Sequence, residues 1–318
     1  MYKHLIPTQR SQIFAYRQCG KSAEFIAEAI GVHKSTVYRE LSRNCNKRGG
    51  YARNAHEMAM ERQERIVRNA AISRKIKFEC LQHIRVDQWS PEQISGSLKR
   101  KGVDVSHTTI YKWVREDKEA GGTLFEHLRH KGHRRKTNPY KTASARNIPG
   151  RVSIKDRPAE ADGKRFGDWE MDLIIGKNGY QAILVLVERS TGYVIIHRLK
   201  HGKKAKELAL AVGRLLFAYR AEGVLTITTD NGPEFSRHQL ITKALKGVTV
   251  YFADPYASWQ KGLVEHTNKL IRQYIPKGSD FDEISPPQLM ALQKKLNDRP
   301  RKTLNYSTPK MEFFKHFS

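Results

Sequence analysis

Residues 168–175, DWEMDLII, read as a central strand with a carboxylate, Asp172, set inside it. An ionised carboxylate in a strand centre loses hydration that apolar neighbours do not replace, so the position requires a compensating cation. Side chains alternate along a strand, which puts Asp168 and Glu170 on the same face as Asp172. Downstream, AILVLVERS (182–190), YVIIHRL (193–199), VLTITTD (224–230) and VTVYFA (248–253) share the β-rich composition. They alternate with helical spacing over 203–221, 236–246 and 258–274. Short strands mixed with helices of roughly 10–20 residues predict an α/β domain over residues 151–318, with a mixed five-stranded sheet.

Ahead of this region the pattern changes. Residues 1–115 read as helical throughout, with Ser22, Ser90 and Ser106 as caps ahead of apolar periodicity. In SAEFIAEAIGVHKSTVYRELSRN (22–44), Ala27 allows two helices to approach and Gly31 suits a positive-φ turn. Phe25, Ile26, Ile30, Val37 and Leu41 predict a small shared core, the pattern of a helix-turn-helix unit. Its second helix, about 34–43, presents Lys34, Ser35, Thr36, Tyr38, Arg39 and Arg43, side chains suited to base edges and phosphates. WSPEQISGSLKRKGVDVSHTTIYKWVRE (89–116) predicts a second such unit, opened by a Ser-x-x-Gln capping box with Pro91 at the first helical position. Here Ile110, Trp113 and Val114 form the buried stripe, while His107, Thr108, Tyr111, Lys112 and Arg115 are free to face outward. The expected organisation is a helix-turn-helix domain (1–50), connecting helices (51–85), a second helix-turn-helix domain (86–118), a basic linker (119–150) and the α/β domain (151–318). Arg134 and Arg135 in the linker are expected to lie along DNA phosphates.

The charge agrees with a polyanionic partner. The 318 residues carry 58 Lys and Arg against 32 Asp and Glu, a formal net charge of +26. Of this, +16 falls in residues 1–150 and +10 in the remainder. Phosphate backbones are the commonest partner for such an excess, because each neutralised phosphate releases condensed counterions. A hydrophobic fraction of 39% excludes a wholly disordered or fibrous chain. The longest apolar run, Ala182 to Val187, is far below the roughly 20 residues of a membrane span. The N-terminus has no secretory pattern, so a cytoplasmic location is expected, without a membrane partner. Cys19, Cys45 and Cys80 have no C-x-x-C spacing and predict neither a disulfide framework nor a zinc site.

In the strand-rich half the placement of the few acids is informative. Asp230 ends a strand and runs into Asn231-Gly232; Glu265 lies in the helical stretch SWQKGLVEHTNKLIRQY (258–274). Taken singly, an Asp before Asn-Gly is a turn former, and Glu265 is an i, i+4 partner for Lys269. Taken in order, an acid on the first strand, one at the end of a later strand and one on a following helix match the way ribonuclease-H-like nucleases and integrases present metal ligands. Hard carboxylate oxygens suit Mg²⁺, and two ions about 3.5–4 Å apart suit in-line displacement at phosphorus. Asn268, Lys269 and Arg272 share the helical face of Glu265, which makes Lys269 and Arg272 candidates to hold phosphates. Glu234 is a further acid at a helix start. Trp259 and Tyr256 are candidates either to stack on an unpaired base or to fill core.

At these residues the sequence resembles a known family. FGDWEMDLIIG (166–176), TTDNGPEF (228–235), YFADPYASWQKGLVEHTNKLIRQYIPKG (251–278) and LNDRPRKTLNYSTPKMEFF (296–314) are similar to the DDE transposases of bacterial insertion sequences, most closely the insertion sequence 30 family. The resemblance covers essentially the whole chain. It implies a ribonuclease-H-like (retroviral-integrase-like) catalytic domain with Asp172, Asp230 and Glu265 as the catalytic acids, holding Mg²⁺ or Mn²⁺, with two ions expected. It also implies binding of double-stranded DNA at terminal inverted repeats and at the target, cleavage and strand transfer, a homo-oligomer pairing two ends, expected as a dimer, and location at the bacterial nucleoid. No small-molecule substrate is expected. Where the family usually has Asn on both sides of the catalytic Glu, this chain has Val264 and His266. The alternative is a catalytically impaired transposase acting as a sequence-specific DNA-binding repressor.

Overall fold

The structure is a computed structural model that describes residues 4–45, 50–70, 72–129, 148–255 and 257–317; Arg134, Arg135 and Tyr256 lie outside the described residues. It divides into two compact units, residues 1–77 and 78–318.

The first unit contains α1 (Pro7–Gln18), α2 (Ala23–Ala29), α3 (Lys34–Arg43) and α4 (Ala55–Ala70). The Ser22 hydroxyl accepts from the Phe25 N–H and starts α2, as a cap residue does. Gly31 turns the chain between α2 and α3 at φ +69°, a conformation that costs an L side chain energy and costs glycine little. Ile26 and Val37 are fully buried between these helices, with Ala27 and Ile30 beside them. Phe25 departs from the expected core: it is 45% exposed, edge-on to Tyr16 with the Lys21 ammonium over its ring. It stands one position off the stripe formed by Ala23, Ile26, Ala27 and Ile30, so the helix turns it outward.

The second unit begins within α5 (Arg74–Gln82) and continues through α6 (Pro91–Arg100) and α7 (His107–Glu119). Ser90 and Gln93 form the expected reciprocal capping box of α6. The sheet region then runs β1 (Val152–Ser153), β2 (Asp168–Ile175), β3 (Ala182–Glu188), β4 (Val194–Leu199), α8 (Ala205–Leu216), β5 (Thr226–Thr229), α9 (His238–Ala244), β6 (Thr249–Phe252), α10 (Gly262–Tyr274), α11 (Pro286–Asn297) and α12 (Pro309–Phe314). The sheet order is β1-β6-β5-β2-β3-β4, so the sheet has six strands where five are expected. The extra strand is β1, which pairs in parallel with β6 through Val152↔Tyr251 and Ser153↔Phe252. Two residues are too few to write a period-2 pattern into a sequence. β2, β5 and β6 are parallel neighbours, while β2, β3 and β4 form an antiparallel meander.

Alternation along β2 distributes its side chains between two layers. Trp169 and Met171 point into a core with Leu208 and Val212 of α8, Ile241 of α9 and Phe313 of α12. Ile174 points the other way, into a core with Val264 and Ile271 of α10 and Leu292 and Leu296 of α11. The acids at 168, 170 and 172 therefore lie on the face covered by α10, the helix that bears Glu265.

The second helical pair packs on this domain. Gln273 Nε2 donates to Gln88 Oε1 at 3.1 Å, Arg299 donates to the Gln88 carbonyl at 2.9 Å, and Lys295 Nζ donates to the Val86 carbonyl at 3.0 Å. Gly96 of α6 lies directly against the Tyr306 ring, and a methyl group built there would overlap it. Gly96→Ala is therefore expected to lower the melting temperature, although alanine stabilises an ordinary helix interior by about 0.5–1 kcal/mol relative to glycine. Thermal unfolding checks this; a rise in melting temperature would show that the ring moves aside freely.

Candidate active site

Register brings the first two acids together. β2 and β5 pair in parallel through Asp168↔Thr226, Trp169↔Ile227 and Glu170↔Thr228. Asp172 and Asp230 each lie two residues past the last of these pairs, and the Lys261 ammonium reaches both. Asp230 falls just past the carboxyl end of β5, the edge at which open α/β sheets place their ligands.

Each acid on the α10 face of β2 has a different partner. Asp168 is fully buried and held by a two-point ion pair from Arg165, at 2.8 and 3.0 Å, and by the Thr226 hydroxyl. Glu170 accepts from Arg189 at 3.2 Å and from the Val264 N–H at 2.8 Å, which anchors the first turn of α10 to the sheet. Asp172 accepts from Asn268 Nδ2 at 2.8 Å and lies 3.4 Å from the Lys261 ammonium. The same ammonium stands 2.9 Å from Asp230 Oδ2, while Asp230 Oδ1 accepts from the Gly232 N–H at 3.0 Å. Asp230 thus forms the turn expected of Asp-Asn-Gly and still offers its other oxygen to a cation.

The electrostatics follow from burial. Desolvation pushes the Asp172 carboxyl above the usual range, and Asp230 adds to this, while Lys261 opposes it. Glu265 is half-buried in the first turn of α10; burial raises it too, with Lys261 and Lys269 pulling the other way. Glu234 is raised by burial and then by Asp230, so a fourth carboxyl borders the pair. Burial alone would lower Lys261, but Asp172 and Asp230 outweigh it and the ammonium is held above its ordinary value.

The donor set suits a hard divalent cation. The oxygens of Asp172 and Asp230 already share one positive charge, and the buried Oδ1 atoms of Asn231 and Asn268 beside them have no hydrogen-bond partner. Among the described residues no group of three or more His, Cys, Asp or Glu stands in metal-holding geometry: the structure brings Asp172 and Asp230 together about Lys261, while Glu265 stands in the first turn of α10. Lys261, the buried cation between the two acids, has no place in the sequence-based expectations. Its signal was faint: one lysine among many, legible only once the strand register is known.

The other candidates are placed as follows. Lys269 is exposed on the Glu265 face. Arg272 donates to the carbonyls of Pro276 and Ile175, so two of its nitrogens tie the end of α10 to the end of β2. Trp259, in the turn before α10, is 76% exposed and does not fill core. Val264 is fully buried in the α10 core, which explains an apolar residue beside Glu265. On α3, Lys34, Tyr38, Arg39 and Arg43 are exposed, and Ser35 and Thr36 are half-buried. Arg39 folds back onto Ser35, through its carbonyl at 3.0 Å and its hydroxyl at 2.9 Å, and the Tyr38 hydroxyl donates to Glu24. On α7, His107, Thr108, Tyr111, Lys112 and Arg115 are all exposed, and Ile110 and Val114 are buried.

Comparison with known proteins places these features in context. A helix-turn-helix domain model matches residues 1–44 and an integrase core domain model matches residues 163–258. The chain is 44% identical to the transposase for insertion sequence element IS4351 of Bacteroides fragilis, over 98% of this chain and 96% of that protein. It is 35% identical to the transposase for IS1086 of Cupriavidus metallidurans, over 97% of this chain and 93% of that protein. To the transposase InsI for IS30A of Escherichia coli it is also 35% identical, over 96% of this chain and 82% of that protein. Among solved structures, the catalytic core domain of BIV integrase aligns with 48% of this chain and 95% of its own at 23% identity and a TM-score of 0.36.

Proposed function

Because this chain belongs to the family of insertion-sequence transposases, we propose that it binds the inverted repeats of its element, cleaves DNA there with Asp172, Asp230 and Glu265 as the catalytic acids, and joins the freed ends to target DNA. The pairing of Asp172 with Asp230 about one buried positive charge, at the rim where Glu265 enters, is the observation that carries this reading. When bound, magnesium or manganese supplies charge to the attacking and leaving oxygens of an in-line displacement at phosphorus. Asp172 and Asp230 would hold it, with Glu265 completing the set. Asn268 orients the Asp172 carboxylate, and Glu170 fixes the first turn of α10 so that Glu265 keeps its place. Lys269, exposed on the Glu265 face, would hold a phosphate, and the exposed ring of Trp259 would stack on a base beside the cleaved bond.

DNA recognition falls to the exposed residues of α3 and α7. Arg134 and Arg135 add affinity through phosphates without reading bases. Joining two element ends requires two active sites, so the working form is a homo-oligomer, a dimer in the simplest case, acting on DNA at the nucleoid. Among the described residues no helix is long and apolar enough to cross a membrane. A catalytically impaired repressor is the disfavoured alternative, since the matched relatives align along nearly their whole length and carry the name transposase.

The test is incubation of the intact protein with DNA carrying the repeats that flank its own coding region, in Mg²⁺ or Mn²⁺. Cleaved ends followed by joined products are expected. Retarded DNA that is never nicked would indicate a repressor, and free ends that never join would indicate a nuclease without strand transfer.

A further inference from the structure

We propose that the Lys261 side chain is a built-in occupant of the metal position: its ammonium neutralises Asp172 and Asp230 in the metal-free enzyme and must leave when a divalent cation enters. The inference rests on the assignment of these two acids as metal ligands and concerns what happens before metal arrives.

Three observations carry it. Lys261 is 5% exposed and stands between the two carboxylates, 3.4 Å from Asp172 and 2.9 Å from Asp230, so it occupies the space between their oxygens. Its partners differ from those of the neighbouring acids. Asp168 and Glu170 are each held by an arginine, Asp168 at two points, whereas Asp172 and Asp230 share one lysine. A lysine is a compact point charge on a flexible four-carbon stem, without the rigid fork that locks an arginine to a carboxylate, and is the cation more easily exchanged. Finally, Asn268, whose Nδ2 holds Asp172, has a buried Oδ1 with no hydrogen-bond partner.

The arrangement has a physical use. Two adjacent carboxylates repel each other when the metal is absent, and a tethered cation holds them in register at no cost in diffusion. A divalent ion between the same oxygens repels the ammonium outward. Lys261 lies at the junction of the Ser258–Lys261 turn with α10, so its stem swings without unwinding the helix. Once outside, the ammonium is free to pair with a phosphate of the DNA.

Two measurements on the full chain without DNA test this. In the wild-type protein, lysine accessibility is read by reductive methylation and mass spectrometry with and without Mn²⁺. Lys261 is expected to be protected in the metal-free protein and to react when Mn²⁺ is bound; protection that persists at saturating Mn²⁺ overturns the exchange. In parallel, Mn²⁺ affinity is measured by titration calorimetry for wild type, Lys261→Met and Asp172→Asn. Lys261→Met is expected to bind Mn²⁺ at least about tenfold more tightly, since no internal cation competes, and to melt lower than wild type when metal-free. Equal or weaker Mn²⁺ binding by Lys261→Met overturns the proposal while leaving the acids as ligands. If Asp172→Asn binds Mn²⁺ as wild type does, or no protein binds it saturably, the assignment of the ligands itself fails. The methylation experiment needs no variant, so a poorly folding Lys261→Met protein does not remove the test.

Discussion

Asp172→Asn, Asp230→Asn and Glu265→Gln are each expected to lower cleavage of end-containing DNA by at least about 100-fold, because altering even the groups that orient a metal ligand typically costs 10–100-fold. Binding to the same DNA is expected to survive, since the exposed residues of α3 and α7 lie on other elements. Folding is expected to survive as well. Burial raises the pKa of Asp172 and Glu265, which means that the native state disfavours their ionised forms. Such a group contributes stability while protonated and loses it as pH rises through the raised value, which offsets part of what each Asp→Asn variant loses by leaving the Lys261 ammonium with one carboxylate in place of two. Gel retardation, single-turnover cleavage and thermal unfolding on the same preparations separate these effects. Wild-type cleavage by all three variants would remove the acids from the mechanism.

Glu170→Ala is expected to destabilise the catalytic domain by about 3–5 kcal/mol, the usual cost of removing one partner from a buried ion pair. Two groups lose by it. The Arg189 guanidinium, nearly buried, loses its carboxylate, and the Val264 N–H at the start of α10 loses its acceptor. Burial pushes Glu170 above the usual carboxylate range while the Val264 N–H and Arg189 pull it down, so the site tolerates a neutral acceptor better than an absent one. Glu170→Gln keeps an oxygen for the Val264 N–H and is expected to lose markedly less stability. Because Val264 adjoins Glu265, Glu170→Ala is expected to impair cleavage even under conditions where the variant remains folded. Denaturant unfolding gives the stability difference; an alanine variant as stable as wild type would show that α10 is anchored by its apolar face alone.

Several elements were legible before the structure because the signal is local. DWEMDLII is a strand over the residues it promised, and the Ser90 capping box and the Gly31 turn stand where short-range chemistry puts them. The helix-turn-helix core was legible except at Phe25, where one position of helical phase decides between core and solvent. β1 was invisible because it owes its existence to β6 and not to its own two residues. Arg272 shared a face with Glu265 as its spacing required, yet one of the two carbonyls that take up its guanidinium, that of Ile175 at the end of β2, lies 97 residues away, beyond what spacing along α10 can show.

The sequence by itself determined the element types, the basic character of both halves, the three rare acids and, through its motifs, the family. These depend on periodicity, composition and residue identity, which operate within a few residues. Only the tertiary structure decided what each acid pairs with. Asp168, Glu170 and Asp172 are equivalent by alternation, but Arg165 and Arg189 neutralise the first two, while parallel pairing of β2 with β5 brings Asp230 beside the third. Lys261 gains its place the same way: a lysine becomes the shared counter-ion of two acids only when the fold has set both carboxylates within its reach.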